Sequence, residues 1–390
     1  MSKACYIHIP FCEQICFYCD FNKFYLENQP VDEYIESLIL EMSFSHRDAN
    51  EPLKSIYIGG GTPTALSAEQ LNRLLVGVKQ NLPIGQVKEF TVEVNPDNAT
   101  KERLKVLKKH GVNRLSIGVQ SFDEHLLKEI GRTHDEENIY RAIENCREIG
   151  FDNISLDLMF GLPHQTIEQF RQSVAKAIAL DVEHVSAYSL KIEEKTIFFN
   201  RQRKGQLTLP PEDDEIVMYK VLCEEMRKNG LRQYEISNFA KPGFESNHNL
   251  VYWNNEEYEA YGAGAHGYIN GYRFQNHGPL NKYLESIRNG KLPRLLEHKV
   301  TVVEQIEEEM FLGLRKRIGL NDRNFQQKYG YKMRELFDAQ IEDLRKRDLI
   351  EEEDGNIRLT EDGLLLANEV FEAFLAVLDE SKLSLRERND

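Results

Sequence analysis

At 390 residues, with 41% hydrophobic and 29% charged side chains, the chain is too long for one typical core and too apolar for disorder, which predicts a large folded domain and a smaller one. A net charge of −15 argues against non-specific nucleic-acid binding, which draws on Lys and Arg to neutralise phosphates. No run of about eighteen apolar residues exists and residues 1 to 11 lack the regions of a signal peptide, so no transmembrane segment and a cytoplasmic location are expected.

Short β-branched runs predict strands at Cys5 to Ile9, Ser55 to Gly59, Glu89 to Val94, Arg114 to Val119, Asn153 to Met159 and His184 to Leu190. Helical periodicity fills 31 to 46, 67 to 80, 100 to 110, 135 to 149 and 166 to 180, several of these opening at Ser, Thr or Asp as N-caps do. Such alternation predicts an α/β fold with a parallel sheet, either open and doubly wound or curled into a barrel. Gly59 to Thr64, Glu93, Gln120 and Asp157 fall at the C-terminal ends of strands, where α/β barrels hold their ligands, and this favours an incomplete (β/α)6 barrel over residues 1–230.

Residues 191 to 215 read as a connection or lid, before a helix from about Glu212 to Lys228. The stretch 231–300, rich in aromatics, Asn, Gly and His, reads as an irregular α+β extension lining a site. Over 301–390, helices near 302 to 317, 322 to 329 and 332 to 347, two strands around Asp354-Gly355 and a helix from 361 to 378 spell a winged-helix-like domain. That domain holds 22 Asp and Glu against 14 Lys and Arg, so docking or lid work suits it better than DNA binding.

Six cysteines are too few for a disulfide framework, and three of them, Cys12, Cys16 and Cys19, crowd into eight positions. Soft thiolates at this spacing suit an iron–sulfur cluster, or a structural zinc ion with His8 or Asp20 as a fourth ligand. Cys5, Cys146 and Cys223 are scattered and read as small apolar residues. The run Gly59-Gly60-Gly61-Thr62-Pro63-Thr64 lets backbone approach a ligand closely, or is merely a tight turn; without a Gly-Lys-Ser/Thr ending it is no nucleotide-triphosphate loop.

Together the cysteine loop and glycine run resemble the radical S-adenosylmethionine (SAM) superfamily. That resemblance implies a [4Fe–4S] cluster on Cys12, Cys16 and Cys19, its fourth iron chelated by SAM, which reduction cleaves to a 5′-deoxyadenosyl radical. Tyr6 to Cys12, Glu93 in Val-Glu-Val-Asn-Pro, Gln120 in Ser-Ile-Gly-Val-Gln-Ser-Phe, Arg132 in Gly-Arg-Thr-His and Asp157 before Gly161-Leu162-Pro163 narrow it to the coproporphyrinogen dehydrogenase-like branch. The branch implies that Tyr6 and Tyr18 lie beside SAM, that Gly60, Gly61 and Thr62 contact its methionine part, and that Glu93, Gln120, Arg132 and Asp157 bond its polar groups.

The dehydrogenases themselves carry a further cysteine where this chain has Phe21, and a long segment ahead of the cluster where only eleven residues precede Cys12. Both departures match the sister group of HemW-type heme chaperones, as does His248-Asn249-Leu250-Val251-Tyr252-Trp253, which fits that group's His-Asn-x-x-Tyr-Trp motif. That resemblance implies heme binding and delivery to acceptor proteins, including membrane-bound respiratory subunits, with the cluster serving regulation, homodimer formation or a chemical step. His248 is the candidate heme contact, and His266 the second choice. A coproporphyrinogen III dehydrogenase is the enzymatic alternative, and a winged-helix regulator sensing through the cluster is a third.

Overall fold

The structure, a computed structural model, describes residues 2–44, 52–379 and 383. It divides into two compact units, the first made of Met1–Arg232, Ser237–His248 and Glu257–Glu297, the second of Gln233–Ile236, Asn249–Glu256 and His298–Asp390.

Six parallel strands build the first unit: β1 (Ala4–Ile9), β2 (Ser55–Gly60), β3 (Glu89–Val94), β4 (Arg114–Gln120), β5 (Ile154–Phe160) and β6 (His184–Ser189). They are neighbours in chain order, each joined to the next by helix, as an incomplete barrel requires. Side chains alternate along a strand, and here the alternation separates two chemistries. Ile7, Ile56, Ile58, Val92, Leu115, Ile117, Leu156 and Val185 join one apolar core with the helices. The other parity carries Tyr57, Thr91, Glu93, Arg114, Ser116, Ser155, Asp157, His184 and Ser186, so the face away from the helices is polar.

The helices are α1 (Val31–Ser43), α2 (Ala68–Asn81), α3 (Lys101–Lys109), α4 (Glu136–Glu148), α5 (Ile167–Ala179) and α6 (Glu212–Lys228). Ser67, Thr100, Asp135 and Thr166 cap four of them with side-chain oxygens, each cap contributing about 1 kcal/mol. The expected helix over 31 to 46 ends at Ser43, and residues 45 and 46 lie outside the described residues.

The stretch expected to be irregular contributes regular elements: β7 (Asn238–Ala240), helix α7 (Asn247–Trp253), β8 (Tyr258–Tyr261), β9 (His266–Ile269), β10 (Tyr272–Asn276) and β11 (Arg294–Lys299). The strand β7 runs antiparallel to β6, whereas β8 lies parallel to β1 on the side away from β2. From β8 the sheet continues through β9, β10 and β11, and its order does not close into a ring. Asn270 and Gly271, with φ of 52° and 75°, form the two-residue turn between β9 and β10.

The second unit holds helices Val302–Leu314, Asp322–Tyr329 and Met333–Lys346 and a three-stranded antiparallel sheet ordered Leu320–Asn321, Asn356–Leu359, Ile350–Glu353. The hairpin turns at Asp354-Gly355, both at positive φ. The single helix expected over 361 to 378 is instead two, Glu361–Leu365 and Ala367–Glu372, because Leu366 at φ −107° and ψ 26° leaves the helical region.

Candidate functional site

Cys12 ends the short strand Phe11–Cys12, which pairs in parallel with Phe24–Tyr25, so the intervening loop returns to its starting point. Several ties hold it there. Leu26 N donates to Cys12 O at 2.8 Å, the Lys23 ammonium donates to Cys19 O, and Asn22 Nδ2 donates to Ala263 O and Gly278 O at 2.9 and 3.0 Å. Burial pushes the Cys12 thiol up to about 12 and the Cys19 thiol up to about 11, so a metal would have to displace their protons on binding. His8 cannot readily join them: Nε2 meets Asn22 O at 2.7 Å and Nδ1 meets the Tyr6 hydroxyl at 2.9 Å. Among the described residues no three His, Cys, Asp or Glu gather tightly enough for one metal ion. A cubane is wider, because each thiolate takes its own iron, and the all-thiol donor set fits it.

The glycine turn leaves β2 directly against this loop. Gly61 N donates to Ile9 O and Thr62 N to Phe11 O, both at 2.8 Å, and the Thr62 hydroxyl donates to Cys12 Sγ at 3.7 Å. At Gly60, φ is +112° and a Cβ would sit 2.3 Å from the His8 ring. Its amide donates to Glu93 Oε2 at 2.9 Å, while the Tyr57 hydroxyl donates to Oε1 at 2.8 Å. Withdrawal from water raises the Glu93 carboxyl to about 7 against these two donors.

Gln120 closes β4 at φ +66°, at a bulge in the pairing with β5. A non-glycine residue held there stores about 1–3 kcal/mol of strain, of a kind that clusters at functional sites. A Cβ at Gly118 would lie 3.0 Å from Gln120 Nε2 and 3.1 Å from Arg132 Nη2, so that glycine makes room for both side chains. Arg132 donates to Asn95 Oδ1 and pairs with the Tyr18 hydroxyl, while its buried Nε has no partner among the described residues. An orphaned guanidinium nitrogen beside the thiols fits a ligand carboxylate. Asp157 accepts from the Ser116 hydroxyl at 3.1 Å and lies about 6 in pKa, raised by burial against Arg114.

Tyr6, Tyr57, Glu93, Arg132 and Asp157 are half-buried, whereas Ser55, Thr91, Arg114, Ser155 and His184 on the same polar face are fully buried. The open part of that face thus carries Tyr6, Glu93, Arg132 and Asp157 of the residues singled out in the sequence, while Gln120 is buried. Tyr57, Asn95, Ser116 and Ser186 belong to the site without having been singled out. Their parity with Glu93 and Asp157 along the strands was the available signal.

His248 lies elsewhere. It is 1% exposed, its Nδ1 meets Ser55 Oγ at 3.0 Å and its ring lies 5.2 Å from that of Tyr57. Glu89 anchors the segment by accepting from Ser246 Oγ, Asn247 N and His248 N. Ser55 and Glu89 open their strands, whereas Gly60 and Gln120 close theirs, so His248 packs against the opposite strand ends from the cysteine loop. His266 opens β9 and is exposed. Trp253 stacks against the Arg315 guanidinium at 4.3 Å within the second unit. Cys5 and Cys146 are buried and Cys223 is partly buried.

These features are those of a radical SAM protein. The radical SAM superfamily model matches residues 6–177, and the HemN C-terminal domain model matches residues 300–366. Coproporphyrinogen III oxidase (HemN) from Escherichia coli superposes with a TM-score of 0.84 over 97% of this chain and 91% of its own, at 24% identity, a likeness of fold. Sequence relatives include heme chaperone HemW of Bacillus subtilis, 51% identical over 96% of this chain and 100% of that protein. HemW of Lactococcus lactis is 47% identical over 96% and 97%. The chain belongs to the HemW family.

Proposed function

We propose that this protein binds heme and passes it to acceptor proteins, membrane-bound respiratory subunits among them, while carrying a [4Fe–4S] cluster and SAM. The observation that supports this best is the near full-length identity to proteins named heme chaperone HemW. Phe21 agrees, standing 61% exposed where the dehydrogenases carry a further cysteine.

In this reading Cys12, Cys16 and Cys19 hold three irons, and the cluster supplies one iron free of protein ligands to coordinate SAM. Arg132 offers its unpartnered Nε to the SAM carboxylate, Gly60, Gly61 and Thr62 face the methionine part, and Tyr6 and Tyr18 flank it. Glu93, Gln120 and Asp157 receive or donate to its polar groups. Two imidazoles compete for heme iron. His266 is reachable as it stands, whereas His248 is buried and requires α7 to loosen from Glu89 before iron can reach its ring. The His-Asn-x-x-Tyr-Trp motif favours His248.

Heme titration of the purified protein, with and without reconstituted cluster, should give saturable binding. His248→Ala should reduce its stoichiometry and alter the visible spectrum; an unchanged result there with loss in His266→Ala moves the ligand to His266. The match of Glu93, Gln120, Arg132 and Asp157 to the coproporphyrinogen dehydrogenase-like branch supports radical dehydrogenation of coproporphyrinogen III as the second reading. Anaerobic incubation with coproporphyrinogen and SAM decides it: protoporphyrinogen formation would overturn a purely chaperone role.

A further inference from the structure

Gln120, the last residue of β4, sits in an uncommon backbone turn. Val119 O accepts from Ser121 N at 2.8 Å, which closes a three-residue turn around Gln120 at φ +66°, the rare and strained hand of such turns. The register of β4 with β5 steps from Gly118 to Gln120, so Val119 is the extra residue of the bulge and has no partner on β5. Its carbonyl takes a second donor instead, His134 Nε2 at 3.0 Å. A carbonyl only accepts, so the imidazole proton is on Nε2. Burial pushes the ring down to about 4, which leaves Nδ1 a bare lone pair, and that atom has no partner among the described residues. An imidazole 3% exposed with one nitrogen unpaired is a costly way to fill space, and the bond it does make goes to the turn.

The segment that carries His134 is fixed residue by residue. Arg132 donates to Asn95 Oδ1, the Thr133 hydroxyl donates to Asp97 Oδ2 at 2.7 Å, and Asp135 and Asn138 exchange bonds of 2.8 and 2.9 Å at the start of α4. A donor on so firm a mount can hold a carbonyl in place, which a side chain on a loose loop could not. We propose that His134 is a positioning residue: its bond to Val119 O holds the strained turn that presents Gln120 to SAM. This rests on the reading that Gln120 bonds a polar group of SAM. The bonded carbonyl immediately precedes the strained residue and stands outside the pairing with β5, so loss of this bond frees the turn without unzipping the strands. The Gln120 side chain would then lose its fixed direction over Gly118, where its Nε2 lies close enough to exclude anything larger than glycine.

The test uses the full chain: amide hydrogen exchange at Ser121 reports the turn, and SAM titrated by calorimetry into cluster-loaded protein reports its effect. In His134→Leu, Ser121 should exchange about tenfold faster and SAM should bind about tenfold more weakly. His134→Gln, whose amide nitrogen can take the place of Nε2, should restore both. His134→Asn is polar but too short to reach the carbonyl; it should behave as the Leu variant and serves if that one does not fold. In a Gln120→Ala background, loss of the imidazole should cost little further SAM affinity, because no side chain is left to present. Unchanged exchange at Ser121 overturns the proposal, and an equal loss of SAM affinity with and without the Gln120 side chain overturns its action through Gln120. Full SAM affinity in Gln120→Ala alone overturns the underlying reading of Gln120, and exchange at Ser121 then still decides whether His134 holds the turn.

Discussion

At Gly60 the backbone tolerates no side chain, because a left-handed φ and the His8 ring together exclude a Cβ. Gly60→Ala should therefore cost about 1–3 kcal/mol of stability and most of the SAM affinity, read by urea unfolding and calorimetry; unchanged SAM binding would remove the turn from the site. A glycine run or a carboxylate at a strand end is a weak signal alone, and such residues were legible in the sequence only through their joint order and spacing. Ser116 and Ser186 were not, because each looks like a spacer until parity along β4 and β6 shows it facing Asp157. His248 is instructive in another way. The motif drew attention to it as a ligand, and only the fold reveals its bond to Ser55 and its contact with Tyr57.

Elements whose signals are local were read well. The caps Ser67, Thr100, Asp135 and Thr166 start helices where expected, and α6 spans Glu212–Lys228 as foreseen. The hairpin of β9 and β10 was missed although Asn270-Gly271 carries the usual turn chemistry, because its strands are only four and five residues long and lie among Gly, Asn and His. The place of β8 beside β1 could not be read, since parallel pairing across some 250 residues leaves no local trace. For α7 the decisive residue is remote in sequence: Glu89→Ala strips acceptors from Ser246, Asn247 and His248 at once. A loss of about 2 kcal/mol or more is expected in urea unfolding, with Glu89→Gln milder; an unaffected midpoint would mean that α7 is held by other contacts.

At the scale of the molecule, charge constrains partners more firmly than fold does. A winged-helix-like arrangement occupies the second unit, yet residues 301–390 carry 22 acidic against 14 basic side chains. Duplex DNA on a column should not retain the protein at low salt, and retention released by added salt would revive a regulatory reading. The sequence divides the chain at 1–230, 231–300 and 301–390; in the structure β8 to β10 of the middle segment join the sheet of the first unit, while Gln233–Ile236 and Asn249–Glu256 belong to the second.

The joining of β8 to that sheet has a consequence for the order of events on the ribosome. One side of β1 finds β2 soon after synthesis, while its other side waits for β8 some 250 residues later, on the order of tens of seconds at ordinary translation rates. Asn22, which ties down the cysteine loop, likewise donates from its amide nitrogen to Ala263 and Gly278. A nascent chain thus displays its three thiols well before the loop has its final shape. Iron delivered during synthesis would meet a floppy tripod, and iron delivered after release a finished one.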